Sequence, residues 1–597
     1  MLNNLRHLFR ANKTFLCSMW KHGKLCIATQ IISIFIGIPL NLLQLYMPKY
    51  FIEEVTNNIM PFLAIRWILF LLLGQILFTI YSHISNIIRD NSCLKAKLIV
   101  KEKTLNHFLS LYISYFDDPE RLNKIQRALA YGETGGTSFF MFLISIINSI
   151  ATFATITYVS FKFEWWIWLI LLALFAIKVM LGDKLKKIVF NYNNDKIILD
   201  RKMSYYSGVL SNKNNLPEIR VFNSAQFFLN KYRDIYLENK QKYVKHHIKV
   251  TIYTVLGQFP EKLFDIISYL IIGVRLYSSK ATLGDYTLFF SMLSQINMLL
   301  NNFKGIINSI TEHGLAAKNY LEFMEDQSET IKTTAKLDKI ESIDEISFKN
   351  VNFRYKKSNQ YVLKNINLTI KKGEKVGIVG LNGAGKSTLL KLLLMLYKVE
   401  EGKILVNDLD ANTLDILSLY EKVGVVFQNH NIYSLTFAEN IALNEFYDSC
   451  QINKGIELVG LKDKVESFPE KSEKPITYNF FKNGIELSGG ERQKVAIARL
   501  LYKNCDLYVL DEASSALDAR SQNELCELIY NLPKDKTVVF ISHRLTDMKL
   551  ADKVIVLDDG SIIAEGTHTQ LLDTCPKYKE MYDIQTNSNL ELRRQNE

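Results

Sequence analysis

The sequence predicts an all-α six-helix transmembrane domain followed by an α/β P-loop NTPase domain. Three observations carry this. Six apolar runs of spanning length occupy the first half of the chain. A strand–glycine loop–helix passage at 376–394 opens the second. An apolar strand ending in paired carboxylates, Asp511 and Glu512, follows it. The 597 residues exceed one ordinary domain, and the whole-chain averages, 48% apolar and 22% charged, blend two unlike halves.

A spanning helix needs about 20 apolar residues, because the hydrocarbon core is about 30 Å thick. Runs near 24–47, 62–84, 137–161, 164–181, 251–276 and 284–310 meet that length. The connections after the second and fourth runs are long and rich in Lys and Arg, which assigns them to the cytoplasmic side together with both termini. The same bias accounts for the net charge of +11 better than nucleic-acid binding does. Few Gly or Pro interrupt these connections and apolar residues recur at helical spacing, so they read as membrane helices running on, joined by short turns. Tyr115–Glu120 and Leu216–Phe222 look like those turns.

Charge inside a bilayer is expensive and usually meets a partner or water. Glu261 and Asp265, four apart in the fifth run, could line a cavity or meet a cationic cargo; pairing with Lys262 or Arg66 is the plainer alternative. Gln295, Asn297, Asn301 and Asn302 give the sixth run a wet face. Residues 4–20 suit a helix lying in the membrane interface. The seven cysteines form no C-x-x-C pair, as expected of parts facing a reducing cytosol. No cleavable signal peptide is expected, and the residues before the first run leave no room for a leader-peptide protease.

In the second half, Val376–Val379 leads into Gly380-Leu381-Asn382-Gly383-Ala384-Gly385-Lys386-Ser387-Thr388 and then Leu389–Leu394. A strand before and a helix after give this P-loop its confirming context. The glycines let backbone N–H groups wrap phosphates, and the helix start adds a positive dipole. Lys386 neutralises β- and γ-phosphate charge and Ser387 ligates Mg²⁺. Asp511 holds Mg²⁺ through water, and Glu512 polarises the attacking water as general base. Between them lies Leu487-Ser488-Gly489-Gly490-Glu491, which alone could be a helix-capping turn.

With the P-loop, that turn makes residues 340–580 resemble the nucleotide-binding domain of ABC transporters. The resemblance implies ATP and Mg²⁺ as ligands. It assigns Tyr355 to stacking on adenine, Gln428 to Mg²⁺ and to sensing the membrane domain, Ser515–Asp518 to a dimer contact, and His543 to the γ-phosphate. It assigns Ser488 and Gly490 to the ATP held by a partner's P-loop, so a second cassette is required. Both halves of the site are present, which favours a homodimer and leaves a heterodimer open.

Six spans followed by a cassette resemble exporter-type half-transporters of the multidrug, lipid and peptide class, a type IV ABC exporter-like arrangement, with 117–128 and 216–222 as coupling helices. Two departures stand out: Glu491 where Gln is usual, and Tyr478–Gly484 without the acidic, Gly-bearing loop of many exporters. The expected layout is a transmembrane domain at 1–320, a linker at 321–345, the cassette at 346–584 and a polar tail at 585–597. The expected function is ATP-driven export across the cytoplasmic membrane by alternating access. Partners are then the lipid bilayer, a second copy and an exported substrate, without nucleic acid. A peptide cargo fits the resemblance to Gram-positive exporters; a lipid or multidrug exporter is the alternative, and an ATP-gated channel or regulator the rival.

Overall fold

The computed structural model describes residues 2–594 apart from 58–60, 164–187, 189–191, 193–195, 197, 279–280, 327–329, 332–337, 357 and 514–517. The expected fourth span, 164–181, and Ser515–Leu517 therefore lie outside the described residues. The chain divides into two compact units, one of residues 1–108 and 124–325, the other of 109–123 and 326–597.

The first unit is helical. It holds α1 (Leu2–Ala11), α2 (Lys13–His22), α3 (Lys24–Thr56), α4 (Pro61–Leu109), α5 (Pro119–Phe163), α6 (Leu216–Val221), α7 (Ala225–Tyr277) and α8 (Leu283–Glu325). Lys24–Thr56, Ala64–Leu109 and Glu120–Ser160 are long and apolar enough to cross a membrane. The expected fifth and sixth spans are helical too, but Glu261, Lys262 and Asp265 in α7 and the amides of α8 make them more polar. The first long connection is the continuation of α4 and α5 with a short turn between them.

Polar contacts pin this bundle where apolar packing alone would let helices slide. Lys49 at the end of α3 reaches Asp285 in the first turn of α8 at 2.7 Å. Asp285 and Thr282 also exchange hydrogen bonds across that helix start, which satisfies two of its N–H groups. Glu54 of α3 binds Arg66 at 2.7 Å and the Trp67 indole at 2.6 Å, tying α3 to α4. Leu45, Ile156, Phe264, Leu288 and Met292 form the apolar centre. The N-terminal stretch expected at the membrane interface packs one face on protein, with Leu8, Phe15 and Met19 buried and Asn12 donating to the Tyr131 hydroxyl at 2.9 Å, while Phe9 and Trp20 stay exposed.

The second unit is α/β. An antiparallel sheet orders β2 (Leu363–Lys371), β1 (Glu345–Phe353), β4 (Glu401–Val406) and β5 (Leu409–Asp410). The other runs β10 (Ser561–Gly566), β9 (Lys553–Asp558), β3 (Lys375–Val379), β8 (Thr537–Ile541), β7 (Leu507–Asp511), β6 (Val423–Val426). From β9 to β6 the pairs are parallel. Their strands are rich in Val, Ile and Leu and mostly buried, because both faces are covered. Helices α9 (Lys386–Leu393), α10 (Gly489–Lys503), α11 (Ala519–Tyr530) and α12 (Pro576–Arg594) are the ones that bear on the site.

Leu109–Asn123, the turn between α4 and α5, belongs to this second unit. Tyr115 is buried, its hydroxyl donates to Asp326 at 3.0 Å, and Arg121 lies over its ring. Lys398 lies 4.7 Å from the Tyr112 ring centre. Burial, then Asp117, push the Tyr397 phenol far up.

Leu392 of α9 is fully buried in the apolar core of the second unit with Val376, Ile378 and Val509. Leu392→Ala should cost about 2–5 kcal/mol by emptying packed volume. A lowered unfolding temperature of the nucleotide unit in calorimetry of the full chain checks this.

Candidate active site

Two carboxylates end β7. Asp511 is 7% exposed, and its Oδ1 is buried with no hydrogen-bond partner among the described residues. Burial, then the neighbouring Glu512 charge, hold its carboxyl above the ordinary range, against the Ser387 hydroxyl and the ammoniums of Lys391 and Lys386. A buried acceptor left unmet is costly. With a hydroxyl beside it, this is the donor set of a hard divalent cation such as Mg²⁺.

Glu512 follows with φ +52°, a left-handed backbone that a non-glycine residue adopts at a cost. Its N–H is held by the Ile541 carbonyl at 3.1 Å. Its Oε2 accepts from Gln428 Nε2 at 2.7 Å, and its Oε1 lies 2.6 Å from His543 Nε2. The residues expected to act together, Glu512, Gln428 and His543, therefore meet through one carboxylate. Parallel pairing brings them there: β6 and β8 flank β7 and deliver Gln428 and His543 from their carboxyl ends.

The loop from β3 to α9 supplies the positive charge. Lys386 is 8% exposed, and its Nζ donates to the carbonyls of Gly380 at 2.8 Å and Leu381 at 3.1 Å. Burial pushes its ammonium below the ordinary value, and Glu512 and Asp511 oppose that. Gly385 has φ +101°, and a Cβ there would meet Leu363 Cδ2 at 2.8 Å, so both backbone and space demand glycine. The loop, a helix start and one lysine ammonium fit a polyphosphate. Thr388 bonds the Tyr355 hydroxyl at 3.1 Å, and the Tyr355 ring packs edge-on with Phe353 and Tyr397. Tyr355 is half-buried.

Residues 363–515 match the family described as ABC transporter. This segment belongs to the ABC transporter family. A subtilin transport ATP-binding protein of Bacillus subtilis is 34% identical over 64% of this chain and 62% of its own length. An ATP-dependent lipid A-core flippase of Haemophilus ducreyi is 34% identical over 52% of each chain. The matched part thus spans less than two thirds of each of these relatives. A solved structure of a bacterial Atm1-family ABC exporter with ATP bound superposes over 94% of this chain and 99% of its own, with a TM-score of 0.80 at 21% identity. The chain has that exporter fold.

Within the ABC domain, Ser488 and Gly490 sit at the start of α10. No hydrogen bond joins them to residues 380–388 among the described residues. Ser488 caps the helix, and Glu491 completes a reciprocal box: Glu491 N–H donates to Ser488 Oγ at 3.3 Å, and Ser488 N–H to Glu491 Oε2 at 2.9 Å. Lys464 binds the other carboxylate oxygen at 2.6 Å. The departure from glutamine thus has a partner. Asp518 caps α11 through Ser521 N–H at 2.8 Å.

Two glutamines escaped the sequence. Gln493, 1% exposed, donates to the Glu512 carbonyl at 3.4 Å. Gln585, assigned above to a polar tail, stands in α12; its Nε2 donates to the His543 carbonyl at 2.7 Å, and its Oε1 accepts from Leu545 N–H at 2.9 Å. Neither sits in a motif. In the first unit, Asp265 is buried, accepts from Asn297 at 3.1 Å and pairs with Lys262 at 3.1 Å, so its partners are internal. Arg66 is engaged by Glu54. The Glu261 side chain lies outside the described residues.

Burial alone would raise the Glu491 carboxyl, but the Lys464 bond and the Ser488 N–H bring it below its ordinary value. Its stabilisation is therefore present above the unfolded value, about 4.3, and is lost as pH falls through the lower folded value. Glu491→Gln should lower the unfolding temperature at pH 7 and flatten its decline in acid. Thermal unfolding from pH 7 down to about 3 checks both.

Proposed function

We propose that the chain is an ATP-hydrolysing exporter of the cytoplasmic membrane that works as a dimer of identical subunits by alternating access, with six spans in each and the ABC domain in the cytoplasm. The observation that carries this reading is the Glu512 carboxylate held by Gln428 and His543 beside Asp511 and the P-loop. In this reading residues 380–388 wrap the phosphates of ATP, Lys386 offsets their charge, and the Tyr355 ring meets the adenine. Ser387, Gln428 and Asp511 hold Mg²⁺, which when bound offsets phosphate charge and orients the transferred group. Glu512 Oε1 or Oε2 takes the proton of the attacking water, and His543 steadies the terminal phosphate. Ser488 and Gly490 close over the nucleotide of the second subunit.

The turn at 109–123 supports coupling. It is packed by Tyr112, Tyr115 and Asp117 within the ABC-bearing unit, while the helices it joins run on into the apolar bundle. A change of the ABC domain on nucleotide closure therefore has a stiff lever to pull. Relatives named for subtilin transport and for a lipid A-core flippase lie at equal identity, so a peptide and a lipid both stand as cargo readings at this level.

Glu512→Gln keeps the hydrogen bonds and removes the base. ATP should still bind, with turnover down by about 100-fold or more, in line with what a positioned general base contributes. Phosphate release and nucleotide binding by the purified protein measure the two separately; undiminished turnover removes Glu512 from the role.

A further inference from the structure

A cavity of about 410 Å³ opens among α3, α4 and α5, inside the stretches apolar enough to span a membrane. That volume lies in the range of small-ligand sites, about 300–1,000 Å³. None of its lining residues is ionisable. It is nonetheless polar: Asn41 and Gln44 come from α3, Gln75 from α4 and Asn148 from α5.

None of these four side-chain amides has a hydrogen-bond partner among the described residues; Asn41 and Gln75 are half-buried, Gln44 and Asn148 exposed. The hydroxyls beside them differ. Ser33 donates to the Gln30 carbonyl at 2.7 Å, Thr79 to that of Gln75 at 2.7 Å, and Thr152 to that of Asn148 at 3.0 Å. Two other amides of the bundle are engaged: Gln30 donates to Ser85 at 2.9 Å and Asn297 to Asp265. An unmet amide at membrane depth is costly unless it faces water or a ligand.

We propose that this cavity is a cargo subsite that binds an uncharged stretch of peptide backbone carrying apolar side chains. The claim rests on the export reading above and narrows its cargo. A carboxamide offers a donor and an acceptor together, and a peptide group presents the matching acceptor and donor. A phosphate headgroup would bring negative charge to a site with no cation, and a cationic compound would find no carboxylate. Ile34, Ile38 and Phe78 supply apolar wall for the side chains.

The probe is an apolar pentapeptide, acetylated and amidated so that it carries no charge, given to the full-length protein in zwitterionic nanodiscs. A photoreactive version without ATP should label α3, α4 or α5, and the plain peptide should stimulate ATPase. N-methylation of the central amides keeps shape and apolarity but removes donors; it should raise the half-maximal concentration about tenfold or more. Gln75→Leu combined with Asn148→Leu should do the same. Gly37 lines the cavity, and a Cβ there meets nothing within 4 Å, so Gly37→Leu starts from open space and should abolish labelling in a protein of parental melting temperature. Leu77→Ala, on an exposed face of α4, should change nothing.

Equal potency of the N-methylated peptide, undiminished labelling of Gly37→Leu, or stimulation by a neutral glycan headgroup and not by peptide would overturn the proposal. Labelling of the cavity in a chain that hydrolyses no ATP would instead sink the export reading and leave the subsite standing.

Discussion

The second unit is organised around a concentration of negative charge that the fold does not neutralise by itself. Asp511 and Glu512 are adjacent at the end of a buried parallel strand, and one Asp511 oxygen has no partner among the described residues. Lys386 is near enough to be felt by both, yet its ammonium is occupied by two P-loop carbonyls. Burial first, and then the adjacent Glu512 charge, disfavour the ionised form of Asp511, so its carboxyl is raised. Mg²⁺ with a polyphosphate is the natural complement, because it offers Asp511 a cation and Lys386 an anion at once. The site therefore stores a demand for ligand in its electrostatics. The left-handed backbone at Glu512 is part of the same arrangement, since it turns the second carboxylate towards Gln428 and His543 while Asp511 stays in the strand.

Much of this was legible in the sequence because its signals are local. A P-loop is nine consecutive residues with a strand before and a helix after, and Asp511-Glu512 terminates an unmistakable apolar run. The meeting of Gln428, Glu512 and His543 was accessible only through a resemblance, since their contact depends on the order of strands in the sheet. Gln493 and Gln585 show the limit. Each touches the backbone of a site residue, by way of a helix face and a C-terminal helix, and a glutamine in a helix carries no local mark of such a task. Glu491 is the opposite case: it looked like a departure and proves to be a capping residue with a lysine partner.

The helical half was legible in outline and less so in its chemistry. Apolar length marks a spanning helix, but it says nothing about which side a polar residue faces. Asp265 could have been a cargo contact by pattern alone; its bonds to Asn297 and Lys262 make it a helix-to-helix tie. The turn at 109–123 is instructive for the same reason. Tyr115 and Asp117 read as a loop between helices, yet Tyr115 is among the largest fully buried side chains of the molecule. A segment buried that thoroughly in a unit other than its flanking helices' own cannot fray independently of it.

The amides of the bundle sort themselves by the same accounting. A carboxamide in hydrocarbon must find a partner, and Leu would occupy the same volume without that need. In α8 the need is met in part: Asn297 serves Asp265, and Gln295 donates to the Asn41 carbonyl at 3.4 Å while its Oε1 has no partner among the described residues. In α3, α4 and α5, Asn41, Gln44, Gln75 and Asn148 have no partner among the described residues and share one cavity. Random polar substitution of an apolar bundle would leave such groups facing lipid, where each costs stability with no return. Their convergence, with no ionisable residue among them, means that the bundle tolerates the cost at one place, and that whatever meets it there is neutral and rich in both donors and acceptors.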